Sequence, residues 1–229
     1  MTTEFMTEFK QSIFFNRMIT QENVMFAYLM VSRLIGITDE KSDFDIVCFV
    51  SDEPKYYDPP EFLTWNGLKV HYYYYPLSVL FKIEHPLHIV TLTQMHRLKE
   101  NNTLIYLNEN FKNIYEKLLF FSDDFLKIGL YALVESQMTL INNVVAIENG
   151  ILTSECKSKF LYHIIWAKKA YFKETYDINY LKKLKRIRWQ KIYSEYHSLC
   201  IQDIKELKQF IENNAFDYKS NLKQIEYLF

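Results

Sequence analysis

Asp43 and Asp45 stand one residue apart at the head of an apolar run, "SDFDIVCFV". In an extended strand, residues i and i+2 point to the same side. This spacing therefore aims two carboxylates at one place. Two carboxylates that close repel one another and raise each other's pKa unless a cation lies between them. A hard divalent ion such as Mg²⁺ meets that need, because it prefers oxygen ligands and often shares its shell with substrate phosphates. The structural alternative is that Asp43 caps a turn and Asp45 faces solvent at a strand end. Glu135 is a second candidate, since "LYALVESQM" sets one acid on an otherwise apolar helix; a solvated stripe or a lysine partner would explain it as well. "LKKLKRIRWQK" gathers Lys182, Lys183, Lys185, Arg186, Arg188 and Lys191 around Trp189. Such a segment could bind the phosphates of a nucleic acid and stack Trp189 on a base, or it could be the solvated face of a helix. His85, His88 and His96 complete no recognised metal spacing. There is no GxSxG elbow, Walker A loop or dinucleotide fingerprint.

Positioning these groups requires strands first and helices later. Residues 4–17 place Phe5, Phe9, Ile13 and Phe14 near helical spacing, which predicts one amphipathic helix. "NVMFAYLMVS", 23–32, is a continuous apolar run and predicts a buried strand. A turn region with Gly36 follows, then the strand "FDIVCFV". "SDEPKYYDPPEF" holds three prolines and predicts a loop. "LKVHYYYY", 68–75, is β-branched and aromatic and predicts a strand ending at Pro76. Of its four tyrosines, two are expected in the core and two at a surface or cleft. Residues 77–99 read as broken helix, 103–108 as a short strand and 110–121 as a helix. Ser122 or Asp123 can cap a long helix through Val145. Further helices are predicted near 155–174, 179–200 and 201–213. The chain thus reads as α+β, with a mixed α/β domain over 1–121 and a helical bundle over 122–229.

The chain has 229 residues, enough for a sizeable core. Apolar residues make up 49% and the net charge is −1, which describes a folded chain without a global pull toward nucleic acid. The cysteines, Cys48, Cys156 and Cys200, are odd in number and far apart, so reduced thiols in the cytoplasm are expected. "MTTEFMTEFKQS" lacks a cationic stretch followed by an apolar core, so no signal peptide is expected. No apolar run is long enough for a membrane span.

"SRLIGITDEKSDFD" sets Ser32 at a strand end, Gly36 four residues on, and Ser42, Asp43 and Asp45 at the next strand. This pattern resembles the nucleotidyltransferases of the DNA polymerase β superfamily, in particular a bacterial and phage branch. Val31 stands where that signature has its first glycine. The later "WNGLKVHYYYYPLSVLF" and the helical C-terminal half are similar in layout to aminoglycoside nucleotidyltransferases. The resemblance implies a polymerase β-like mixed sheet followed by an all-helical domain. It implies that Ser32, Arg33 and Ser42 meet the triphosphate, and that Asp43 and Asp45 hold Mg²⁺ or Mn²⁺. The position of a third carboxylate falls on His71, which could act as base or ligand or simply pack. The helical glutamate of the aminoglycoside enzymes falls on Glu135, or in a strict register on Thr139. The implied reaction moves a nucleoside monophosphate from Mg·NTP to a hydroxyl acceptor: a small molecule, a protein or an RNA end. The alternative is a protein of the same fold that binds nucleotide, nucleic acid or a protein partner without catalysis.

Overall fold

The computed structural model of the chain describes residues 3–29, 43–55, 63–82, 92, 95–99, 103–142, 179, 206, 209, 210 and 212–229. The chain divides into two compact units: Met1–Lys82 with Arg97–Ser122, and Ile83–His96 with Asp123–Phe229.

The first unit opens with two helices, α1 (Thr3–Gln11) and α2 (Ile13–Gln21). The single helix read over 4–17 is therefore corrected. Ser12 adopts extended backbone, at φ −71° and ψ 151°, and its side chain accepts a hydrogen bond from the Phe15 N–H at 3.1 Å. A serine that satisfies the next helix's first donors starts a new helix and ends the old one. The restart changes which residues face inward. Phe9, Phe15 and Met18 are buried, whereas Ile13 is 78% exposed. Asn23, at φ +51°, then turns the chain into β1, a left-handed position that asparagine tolerates.

Five strands form one mixed sheet: β1 (Val24–Leu29), β2 (Phe44–Val50), β3 (Leu63–Trp65), β4 (Leu68–Pro76) and β5 (Leu104–Leu107), in the order β3-β4-β2-β1-β5. β2 and β4 run parallel, and every other pair is antiparallel. β3 and β4 form a hairpin about Asn66 and Gly67, at φ +47° and +77°. Two positive φ angles define the two-residue turn whose twist matches paired strands, and asparagine–glycine is its preferred sequence. β3 was not expected from the sequence, although this dipeptide signals it.

Both faces of the central strands are covered. On one face Phe9 packs edge-on to Phe15, Phe44 and Trp65, with ring centroids 5.2–5.5 Å apart. Ile46, Cys48, Tyr72 and Tyr74 belong to the same core. On the other, Phe26 stacks on Phe49 at 4.8 Å and meets Tyr115 of α3 (Lys112–Phe120) at 5.3 Å. Double coverage explains why β1 and β2 read as unbroken apolar runs. It also corrects the expected split of the tyrosines: Tyr72, Tyr74 and Tyr75 are buried, and Tyr73 alone is half-buried. Within β2, Asp45 is the one residue that is not buried.

In the second unit, α4 (Ser122–Asn142) starts at the division between the units. Tyr131 of α4 donates its hydroxyl to the Asn214 carbonyl at 3.1 Å and packs on Phe216 at 4.8 Å. The Lys127 ammonium sits 4.0 Å over the Phe216 ring. Asp217 then caps α5 (Tyr218–Glu226) by accepting from the Ser220 N–H at 3.1 Å. This last helix was not predicted. The helices read at 155–174 and 179–200 lie outside the described residues, apart from Asn179, which is helical. Of 201–213, Glu206, Gln209, Phe210, Glu212 and Asn213 are helical. Among the described residues no helix is long and apolar enough to cross a membrane.

Candidate functional site

The parallel pairing of β2 with β4 decides what stands beside Asp45. Phe44 pairs with Val70, Asp45 with His71, and Val47 with Tyr73. Paired residues in a sheet share a face. Asp45, His71 and Tyr73 are thus brought together on the face opposite Cys48 and Tyr74. His71 Nδ1 lies 3.7 Å from Asp45 Oδ1, with the two side chains 15% and 26% exposed. The Tyr73 hydroxyl is 2.5 Å from the same Nδ1, and the two rings are 4.2 Å apart. Behind them Tyr75 and Phe49 continue the face as packed aromatic surface. The result is a polar end on a rigid apolar wall, at the edge where β2 and β4 begin.

The chemistry of this end follows from its donors. The Tyr73 hydroxyl and His71 Nδ1 share one hydrogen bond, in which either atom can carry the proton. Asp43 lies one residue before β2 and is half-buried. Strand pairing begins at Phe44, so the ladder orients Asp45 directly and Asp43 only through the chain.

Asp43 and Asp45 carry hard oxygen donors of the kind a divalent cation takes. Mg²⁺ in particular takes one or two carboxylates and completes its shell with water and phosphate. His71 fits such a cation poorly and a borderline metal better. Among the described residues, which include Asp43, Asp45 and His71, no three His, Cys, Asp or Glu side chains form a group that could hold a metal ion.

Glu135 belongs to the second unit, on α4, and is exposed. Its carboxylate accepts a short hydrogen bond from the Tyr218 hydroxyl of α5. Burial first, then this bond and the charges of Glu135 and Asp217, push the Tyr218 hydroxyl's pKa upward. Ser32, Arg33 and Ser42 lie outside the described residues, as do Val31, Gly36 and the basic segment from Lys182 to Lys191. Two partners were missed. The bond of Tyr73 to His71 was not anticipated, although i and i+2 on a strand share a face. Tyr218 left no local signal, because it reaches Glu135 from 83 residues away. No protein-family model and no curated protein matches this chain.

Proposed function

We propose that this chain is a divalent-cation-dependent nucleotidyltransferase of the polymerase β type, with a helical C-terminal domain over 122–229. It would move a nucleoside monophosphate from a nucleoside triphosphate to a hydroxyl acceptor, with pyrophosphate leaving. The observation that carries the reading is the register of β2 against β4. It sets His71, the residue at the third acidic position of the resembled signature, directly beside Asp45. Asp43 and Asp45 would hold the cation. Bound there, the cation would supply positive charge against the phosphate oxygens. His71, steadied by Tyr73, would border the reacting groups, and Ser32, Arg33 and Ser42 would meet the triphosphate. The acceptor could be a small molecule, a protein side chain or an RNA end.

The decisive experiment incubates the chain with Mg²⁺ or Mn²⁺ and each labelled nucleoside triphosphate across a panel of acceptors. Pyrophosphate release should appear. Asp43→Asn with Asp45→Asn should lower it on the order of a thousandfold, since cation charge is worth several kcal/mol to such a transition state. Release that survives the double substitution refutes the reading. A second reading has its own support: an imidazole, already bonded to Tyr73, in place of a carboxylate. It makes the protein a nucleotide binder without turnover. Its mark is saturable triphosphate binding with no label transfer to any acceptor.

A further inference from the structure

We infer that residues 214–229 form a strap that opens from α4 and closes on it without unfolding the rest of its unit, and that the bond between Tyr218 and Glu135 is its catch. The inference goes beyond the nucleotidyltransferase reading and uses none of the residues given a role there. Lys127, Tyr131 and Glu135 follow one another at four-residue spacing on α4, so they line one stripe of that helix. Each meets the start of the strap. Lys127 lies 4.0 Å over the Phe216 ring, and the Tyr131 hydroxyl donates to the Asn214 carbonyl at 3.1 Å. Glu135 accepts from the Tyr218 hydroxyl. Residues 214–217 are neither helix nor strand, so side chains rather than a backbone ladder fasten this stretch to α4. α5 follows with nine residues, too few to be stable alone, and buries only Leu222 and Ile225. Phe229 ends the strap against Phe125 of α4, with ring centroids 6.3 Å apart, while Tyr227 beside it is 91% exposed. By contrast, Phe125, Leu126, Ile128 and Leu130 of α4 are each at most 2% exposed. A segment docked by so few side chains opens at a lower free energy than a helix built into the core. Among the three stripe contacts, the Tyr218 bond has a carboxylate acceptor, and such bonds are stronger than neutral ones. Closed, the strap covers Leu222 and Ile225 and occupies Glu135. Open, it bares both apolar side chains and frees that carboxylate.

The test is amide hydrogen exchange on the full-length chain, with and without low urea, comparing α5 with residues 125–132 of α4. In the wild type, protection in α5 should be lower by about tenfold or more, and it should respond less to urea, because local opening exposes less surface than unfolding of the unit. Glu135→Ala and Tyr218→Phe should each lower protection in α5 by a further factor of about ten, the worth of a hydrogen bond to a charged group. The double variant should do no more than either single one, since all three remove the same bond. Protection of residues 125–132 should stay at its wild-type level throughout. Equal protection and an equal urea response in α5 and in residues 125–132 of the wild type overturn the strap, because the segment then opens only with its unit. Complete lack of protection in α5 overturns it too, because the strap then does not close. Wild-type protection of α5 in both single variants overturns the role given to the Tyr218–Glu135 bond. The wild-type comparison decides whether the strap opens by itself even where a variant fails to fold.

Discussion

Tyr73 and Tyr74 are sequence neighbours whose hydroxyls do different work. Tyr74 points into the helix-covered core and donates to the Met18 carbonyl at 3.0 Å. Met18 lies in the last turn of α2, and both its side chain and the Tyr74 ring are shielded from water. Removing the donor forfeits a fully buried hydrogen bond that no water can replace. Tyr74→Phe should therefore cost about 1–3 kcal/mol. Tyr73 bonds an imidazole on the half-buried face, where water can substitute, so Tyr73→Phe should cost about 0.5–1.5 kcal/mol. Urea unfolding with an unchanged slope measures both. A Tyr73 variant weaker than the Tyr74 variant would mean that the Tyr73–His71 bond is chiefly structural. Part of this site was readable in advance. Two aspartates before an apolar run announce themselves by spacing. The contact of His71 with Asp45 does not, because residues 26 positions apart meet here only through the pairing of two parallel strands, which no local pattern encodes.

At the scale of elements, strands were more legible than helices in the first unit. β1, β2, β4 and β5 are each an apolar or aromatic run bounded by polar residues, and double coverage sharpens that signal. The helix pair was misread because Ser12 sits inside a periodic pattern, and a cap's hydrogen bond leaves that pattern intact. Mutagenesis separates one helix from two. Phe9 lies amid Phe15, Phe44 and Trp65, so Phe9→Ala should cost about 3–5 kcal/mol. Ile13 was expected on the same buried face but is exposed, so Ile13→Ala should change stability by less than about 0.5 kcal/mol. Equal losses in denaturant midpoint would restore the single helix and undo the break at Ser12.

At the scale of the molecule, both units carry acidic groups whose protons folding retains. In the first unit, burial pushes the Cys48 thiol's pKa far up. Burial likewise raises Tyr74, helped by Cys48, Tyr72 and Glu22 and opposed by Arg17. In the second unit, Tyr218 is raised by burial and then by Glu135. The sign follows from linkage. A neutral acid with a folded pKa above its unfolded value gives its full stabilisation below the unfolded pKa. That contribution is lost as pH rises toward the folded value, because the unfolded chain sheds the proton first. The unfolded values are about 8.5 for cysteine and about 10 for tyrosine. Stability should therefore begin to fall near pH 8.5 through Cys48, by up to about 1.4 kcal/mol per pH unit, and more steeply above about pH 10 as the tyrosines join. Since Tyr218 shifts in the same direction as Cys48 and Tyr74, both units weaken on the alkaline side. Urea midpoints taken between about pH 8 and 11 measure the slope. Cys48→Ala should flatten its first part and leave the steeper tyrosine part in place, and a variant that tracks the wild type from pH 8.5 to 10 would show that the buried thiol is not the group responsible.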